Sequence, residues 1–209
     1  MPIWDNIYKN YQNNGQSWAT IGEGLMPEFI NFIKINEFSR KRCFEIGCGT
    51  GKYIKYLNSL NFSVDGIDSS EIAVAMTKKI VKKSAEVICA DMFNFDMPLN
   101  KYDLIYSIST IHHGRKEQII NLINIIYNSL FPSGKIFITL PNKGMVNKWD
   151  TFKNCKELFP GTYIPTSGPE KGLLHSFFSA QEIKKIFFKF KELKIESDEI
   201  GRWVVTARK

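Results

Sequence analysis

Apolar positions along the 209-residue chain switch between two periods. At Ile3, Trp4, Ile7, Tyr8 and Tyr11 they recur at three- and four-residue intervals, which predicts a short amphipathic helix with an aromatic face. A second helix is expected near 26–36. The apolar run Cys43, Phe44, Ile46 then enters a turn with glycines at 47, 49 and 51. A helical pattern follows at once, with Tyr53, Ile54, Leu57 and Leu60 on one face. Strand 63–68 leads into a helix around 71–83, and strands 86–90 and 103–107 follow. A helix near 116–130 shows Ile119, Leu122, Ile123, Ile126 and Leu130 on one side. The turn Pro132, Ser133, Gly134 opens a fifth strand at 135–140. Apolar strands separated by helices predict a doubly wound α/β domain whose parallel sheet is buried on both faces.

Residues 141–178 break this rhythm. They are rich in Pro, Gly, Asn and Lys, carry Trp149, Phe152, Phe159 and Tyr163, and show no clear period. A stretch of that length is expected to be a lid over a functional site. Regular structure resumes at Ser179, whose spacing to Glu182 fits a capping box, and Ile183, Ile186, Phe187 and Phe190 supply that helix's core face. Strands 191–198 and 202–208, joined through Gly201, close the chain as a hairpin. Without internal repeats or a low-complexity linker, one domain over 1–209 is expected, with 1–36 as a helical arm and 141–178 as an insertion.

Composition changes this picture little. Net charge is +7, which invites a nucleic-acid partner. The excess is scattered lysine, however, and Lys78–Lys79, Lys82–Lys83 and Lys184–Lys185 fall on polar helix faces, where solvation explains them. No run approaches the roughly 18 apolar residues of a membrane span, and the N-terminal order is not that of a signal peptide. Cys43, Cys48, Cys89 and Cys155 form no C-x-x-C pair. Three lie in or beside predicted buried strands, so they are read as packing cysteines in a reducing cytoplasm.

Residues 43–52, CFEIGCGTGK, form the strand–turn–helix unit that opens the ligand crevice of such folds. The dinucleotide fingerprint G-x-G-x-x-G fails because Lys52 stands where its third glycine belongs. The phosphate-binding P-loop fails because Tyr53 follows Gly51–Lys52 and Ile46 stands five before Gly51. What remains is Glu45 one position ahead of G-x-G-x-G. This resembles the first motif of the class I S-adenosylmethionine-dependent methyltransferases, and the resemblance covers about residues 40–209. It implies a Rossmann-like seven-stranded sheet, mostly parallel with an antiparallel C-terminal strand. It also implies S-adenosylmethionine as cofactor and S-adenosylhomocysteine as product. Gly47, Cys48, Gly49 and Gly51 would then lie along the cofactor's amino-acid part, with Glu45 in the surrounding site.

An acid ending the second strand about 20 residues past the first glycine can accept from a ribose diol; Asp68, followed by Ser69, stands there. Asp65 is the competitor, read as mid-strand and exposed at an edge. By resemblance Asp91 faces the adenine amine and Met92 packs against the ring, the alternative for Asp91 being a loop cap. By resemblance also, Ser107 and Ile108 border the methionyl portion. His112 and His113 follow that strand. One could act as a general base near neutral pH, or the pair could cap the loop. As metal ligands they are set aside, since adjacent residues point different ways and no third ligand is in register. Aromatic faces tolerate a sulfonium cation, so Tyr8, Tyr11 and Trp18 of the arm and Trp149 and Tyr163 of the insertion are candidate substrate-side residues.

The expected activity is methyl transfer to a small-molecule acceptor by a monomer or homodimer with no membrane association. The W-D-x-x-Y segment (Trp4, Asp5, Tyr8) and HSFFSAQEI at 175–183 resemble the small tellurite-resistance and thiopurine types. A tRNA or other nucleic-acid methyltransferase, suggested by the charge and the His-His pair, and a cofactor-binding scaffold without turnover remain as alternatives.

Overall fold

In the computed structural model, residues 3–14, 24–81, 85–146, 148 and 152–209 are described. Two helices, α1 (Ile3–Gln12) and α2 (Pro27–Ile35), precede the sheet. Then come β1 (Arg42–Ile46), α3 (Lys52–Ser59), β2 (Ser63–Asp68), α4 (Glu71–Ile80), β3 (Val87–Cys89), β4 (Tyr102–Ser107), α5 (Lys116–Ser129) and β5 (Leu130–Leu140). The insertion contributes β6 (Cys155–Phe159), β7 (Thr162–Pro165) and β8 (His175–Ser176). Helix α6 (Ala180–Ile186), β9 (Lys191–Ser197) and β10 (Trp203–Arg208) close the chain.

The main sheet has seven strands in the order β3-β2-β1-β4-β5-β10-β9. Strands β1 to β5 are parallel, and β10 enters antiparallel between β5 and β9. Successive strand residues alternate between faces, and both faces are covered. Cys43, Leu104 and Tyr106 pack with Phe29, Phe32 and Ile33 of α2 and Ile54 and Leu57 of α3. Phe44, Ile46 and Ile105 pack with Ile119, Leu122, Ile123 and Ile126 of α5. That double burial is why the strands read as nearly unbroken apolar runs. Strand order reverses between β1 and β4, and the crevice beyond their carboxyl ends is where such folds bind ligands.

Helix starts follow local chemistry. The Ser70 hydroxyl caps α4 by accepting from Ala73 N. Ser179 and Glu182 form the expected reciprocal box, with Ser179 N donating to Glu182 Oε2 at 2.7 Å and Glu182 N donating to Ser179 Oγ at 3.3 Å.

Several expectations are corrected. Leu60 lies past the end of α3 and is exposed. β5 begins directly after α5 at Leu130 rather than at 135; its pairing with β4 shifts register between Tyr102 and Leu104, and Ser133 takes φ +69°. Asp65 is buried, because β2 is interior between β3 and β1. Its carboxylate accepts from the Tyr102 hydroxyl at 3.1 Å and pairs with Lys101 at 3.0 Å. The insertion is not featureless: β6, β7 and β8 form an antiparallel sheet of their own over Val146, Phe152 and Phe177. All four cysteines are free thiols, but Cys89 is exposed rather than packed. Among the described residues no helix is long and apolar enough to cross a membrane.

Candidate functional site

The glycine turn is held from three directions. Gly47 N and Cys48 N both donate to Ile67 O, at 2.8 and 2.9 Å, tying the turn to β2. Gly49 N donates to Asp68 Oδ2 at 2.9 Å, and Gly49 O accepts from Thr77 Oγ1 of α4 at 2.9 Å. Gly47 and Gly49 have φ +79° and +53°, a region that side chains disfavour. Space excludes a side chain as well: a Cβ on Gly47 would collide with Thr110, and one on Gly49 would stand 2.8 Å from the Tyr8 hydroxyl. Gly51 differs. It is the N-cap of α3 at φ +76°, packs against Thr77 and Ile80, and lines neither cavity described next.

Two chambers open along the carboxyl edge of the sheet and share Tyr8, Gly47, Ser109 and Thr110. The first, about 260 Å³, is lined further by Glu45, Cys48, Gly49, Ile108, Glu28, Met26 and Arg202. The second, about 460 Å³, is lined by Asp68, Ser69, Asp91, Met92, Phe93, His113, Leu174 and Trp4. Helix α1 therefore forms a wall common to both. It is seated by the buried Asp5, which accepts from the Ser70 hydroxyl at 2.6 Å.

Of the acids, Asp68 is the best fixed. It is 8% exposed, and burial raises its carboxyl pKa to about 6, against the pull of the backbone N–H groups of Ser70 and Gly49 that it accepts. Glu45 is buried and accepts from the Tyr106 hydroxyl at 3.2 Å; burial drives its carboxyl well above the usual range. Asp91 both lines the second chamber and caps its own loop, accepting from Phe93 N at 3.0 Å and Asn94 Nδ2 at 2.7 Å.

Other predicted residues fall elsewhere. Ser107 is fully buried, lines neither chamber, and spends its hydroxyl on Ile46 O at 2.9 Å, clamping β4 to β1. Tyr11 packs against α4 with Ile7 and Ala73, and Tyr163 packs on Phe177 in the small sheet; neither lines a chamber. Trp18 and Trp149 lie outside the described residues. His112 is buried and lines neither chamber, whereas His113 forms part of the second chamber's wall and meets Trp4 edge-on at 4.7 Å between centroids. The expectation that no third ligand accompanies them is overturned: β8 brings His175 to the pair, with ring centroids 5.5 Å from His112 and 4.4 Å from His113.

Some lining residues gave no signal in the sequence. Thr110 sits against Gly47. Arg202 faces the first chamber, its Nε donating to Asp198 Oδ2 and its Nη1 to Ser109 Oγ, both at 2.6 Å. These contacts are set by the closing hairpin, and no local spacing announces them.

Residues 44–134 match the family model described as a methyltransferase domain. The chain is 30% identical over 141 residues to phosphoethanolamine N-methyltransferase of Plasmodium falciparum, covering 66% of this chain and 50% of the relative. It is 28% identical over 134 residues to a probable tRNA methyltransferase 9B of Mus musculus, covering 64% and 29%. The chain thus spans half or less of the length of these relatives. A phosphoethanolamine N-methyltransferase 2 of Haemonchus contortus, solved in complex with S-adenosyl-L-methionine, superposes with a TM-score of 0.68 at 20% identity, covering 93% of this chain and 43% of that one. Residues 44–134 thus match a methyltransferase domain, and the sheet has the fold of a solved methyltransferase that binds S-adenosyl-L-methionine. The crevice fits that cofactor on its own terms. Gly47 and Gly49 offer bare backbone, and Asp68, with about four acceptor sites on its carboxylate, has capacity beyond its backbone partners for a diol.

Proposed function

We propose that the chain transfers the methyl group of S-adenosylmethionine to a small-molecule acceptor. The observation that carries this is the paired chamber: one continuous edge of glycine backbone and buried acid, divided at Tyr8 and Thr110. In this reading the second chamber takes the adenosine end, with Asp68 and Ser69 at the ribose and Asp91 and Met92 at the base. The first takes the methionyl end, along Gly47, Cys48, Gly49 and Ile108, with Glu45 beneath.

When bound, the cofactor supplies an activated methyl on a sulfonium. The residues have little covalent work left, and rate comes from alignment in a dry site. Tyr8 stands at the junction of the chambers, and burial raises its hydroxyl pKa well above the usual range, so it presents a neutral phenol to a cation. Among the two adjacent histidines only His113 reaches the crevice, at the adenosine end. Neither histidine therefore stands at the methionyl end as a general base. Helix α1 serves as the arm over the cofactor, and the insertion, through Leu174, as the lid over its adenosine end.

Isothermal titration with S-adenosylmethionine and S-adenosylhomocysteine tests the reading. Micromolar binding that weakens at least 10-fold in Asp68→Ala supports it, and absence of binding by either compound ends it. The acceptor class is separated by salt: phosphate-driven RNA retention must fall steeply between low and moderate ionic strength. Such retention would replace the small molecule with a nucleic acid, and failure of turnover across a broad acceptor panel would leave a binding scaffold.

A further inference from the structure

We propose that His112, His113 and His175 form a binding site for one divalent zinc-like ion. The chain has three histidines in all, and the fold draws every one of them together from two segments 62 positions apart. One ring nitrogen from each lies within 4.8 Å of those from the other two. Nitrogens sharing a tetrahedral ion with bonds of about 2.0–2.1 Å stand roughly 3.4 Å apart. Occupancy thus requires the ring nitrogens to close by up to about 1.4 Å.

Three further observations point to a ligand. The Nδ1 of His112 is buried with no hydrogen-bond partner, an uncommon state for a polar atom in a folded interior. His175 Nε2 and Glu170 Oε2 are 3.3 Å apart, so a carboxylate stands beside the cluster and favours a cation there. His113 Nδ1 faces Leu174 O at 3.2 Å, and His175 Nδ1 faces Leu173 O at 3.0 Å. Backbone carbonyls in that position orient ligating imidazoles. Three imidazoles suit zinc over magnesium or calcium, which prefer all-oxygen sets.

The ion would join the exit of β4 to β8, where Ser176 N already donates to His112 O at 2.9 Å and Ser176 Oγ to Gly114 O at 2.7 Å. It would fix the insertion against the sheet edge at the wall of the second chamber. The site stands apart from the methyl-transfer reading, since metal and cofactor are read in separate titrations.

The test uses tag-free full-length protein, stripped with chelator and titrated with Co2+. The expected result is one equivalent bound with the intense visible bands of a tetrahedral ion, displaced by Zn2+, and a raised melting temperature with zinc. His112→Gln and His175→Gln should each weaken binding by 100-fold or more, and Glu170→Gln by 10- to 100-fold. A wild-type titration without visible bands or thermal shift overturns the proposal, and needs no variant to fold. So does binding that persists unchanged in folded His175→Gln.

Discussion

Asp68→Asn should stabilise the cofactor-free protein at neutral pH while damaging the site it belongs to. Asp68 is 8% exposed, and its carboxyl is raised from 3.8 to about 6. Keeping it ionised in the fold therefore costs about 3 kcal/mol, at 1.36 kcal/mol per unit. The sign follows from proton counting. Between pH 4 and 6 the folded state holds more protons than the unfolded, so stability falls as pH rises. The protonated carboxyl's contribution is complete below about pH 4 and lost above about pH 6. An amide removes this dependence but leaves one of the two backbone donors, Gly49 N or Ser70 N, facing an NH2 group. That mismatch costs about 1–3 kcal/mol. Near pH 4 the amide is therefore the less stable, by about that amount; at pH 7.5 the two effects leave it equal or more stable by up to roughly 2 kcal/mol. Urea unfolding of both proteins from pH 4 to 8 reads the difference directly. A difference curve that is flat across this range would refute the assignment of the raised carboxyl to Asp68. Cofactor affinity should move the other way, weakening 10- to 100-fold at pH 7.5 for loss of charge-assisted bonds to a diol.

Gly47→Ala should destabilise the protein by about 1–3 kcal/mol, from its φ of +79° alone, with added loss from the collision with Thr110. Thermal melting of Gly47→Ala and of its double variant with Thr110→Gly should show partial recovery in the double, the backbone strain persisting. Phe29→Ala removes a fully buried ring packed on Tyr53, Tyr106 and Phe137; about 3–5 kcal/mol of unfolding free energy should be lost in urea titration. Asp198→Ala releases two contacts that position Arg202. Affinity for S-adenosylhomocysteine should fall severalfold by calorimetry; unchanged affinity would place Arg202 outside the cofactor's contacts.

How far the chain could be read depends on whether a feature is local. Strands β1, β2, β4 and the second half of β5 were legible because burial on both faces makes each a mostly apolar run, and the glycine turn because positive φ at 47, 49 and 51 favours glycine. Asp68 was legible because strand end and turn lie a fixed distance apart in this topology. Ser107 was misplaced because the same strand end can face the crevice or the neighbouring strand, and a hydroxyl bonded to Ile46 O looks no different in sequence from one bonded to a ligand. Asp65 was misread because its partners, Tyr102 and Lys101, come from the start of a strand two places away in the sheet. The insertion's small sheet escaped because its strands are five, four and two residues long, too short to express a period. His175 shows the consequence most plainly. Its companions are adjacent in the chain, a spacing that ordinarily sends side chains different ways and so argues against a metal, yet the fold sets their rings 4.0 Å apart. Only the pairing of β8 with β7 and with the backbone of His112 supplies a third nitrogen. The surroundings of the pair are therefore set by an element that carries almost no sequence signal.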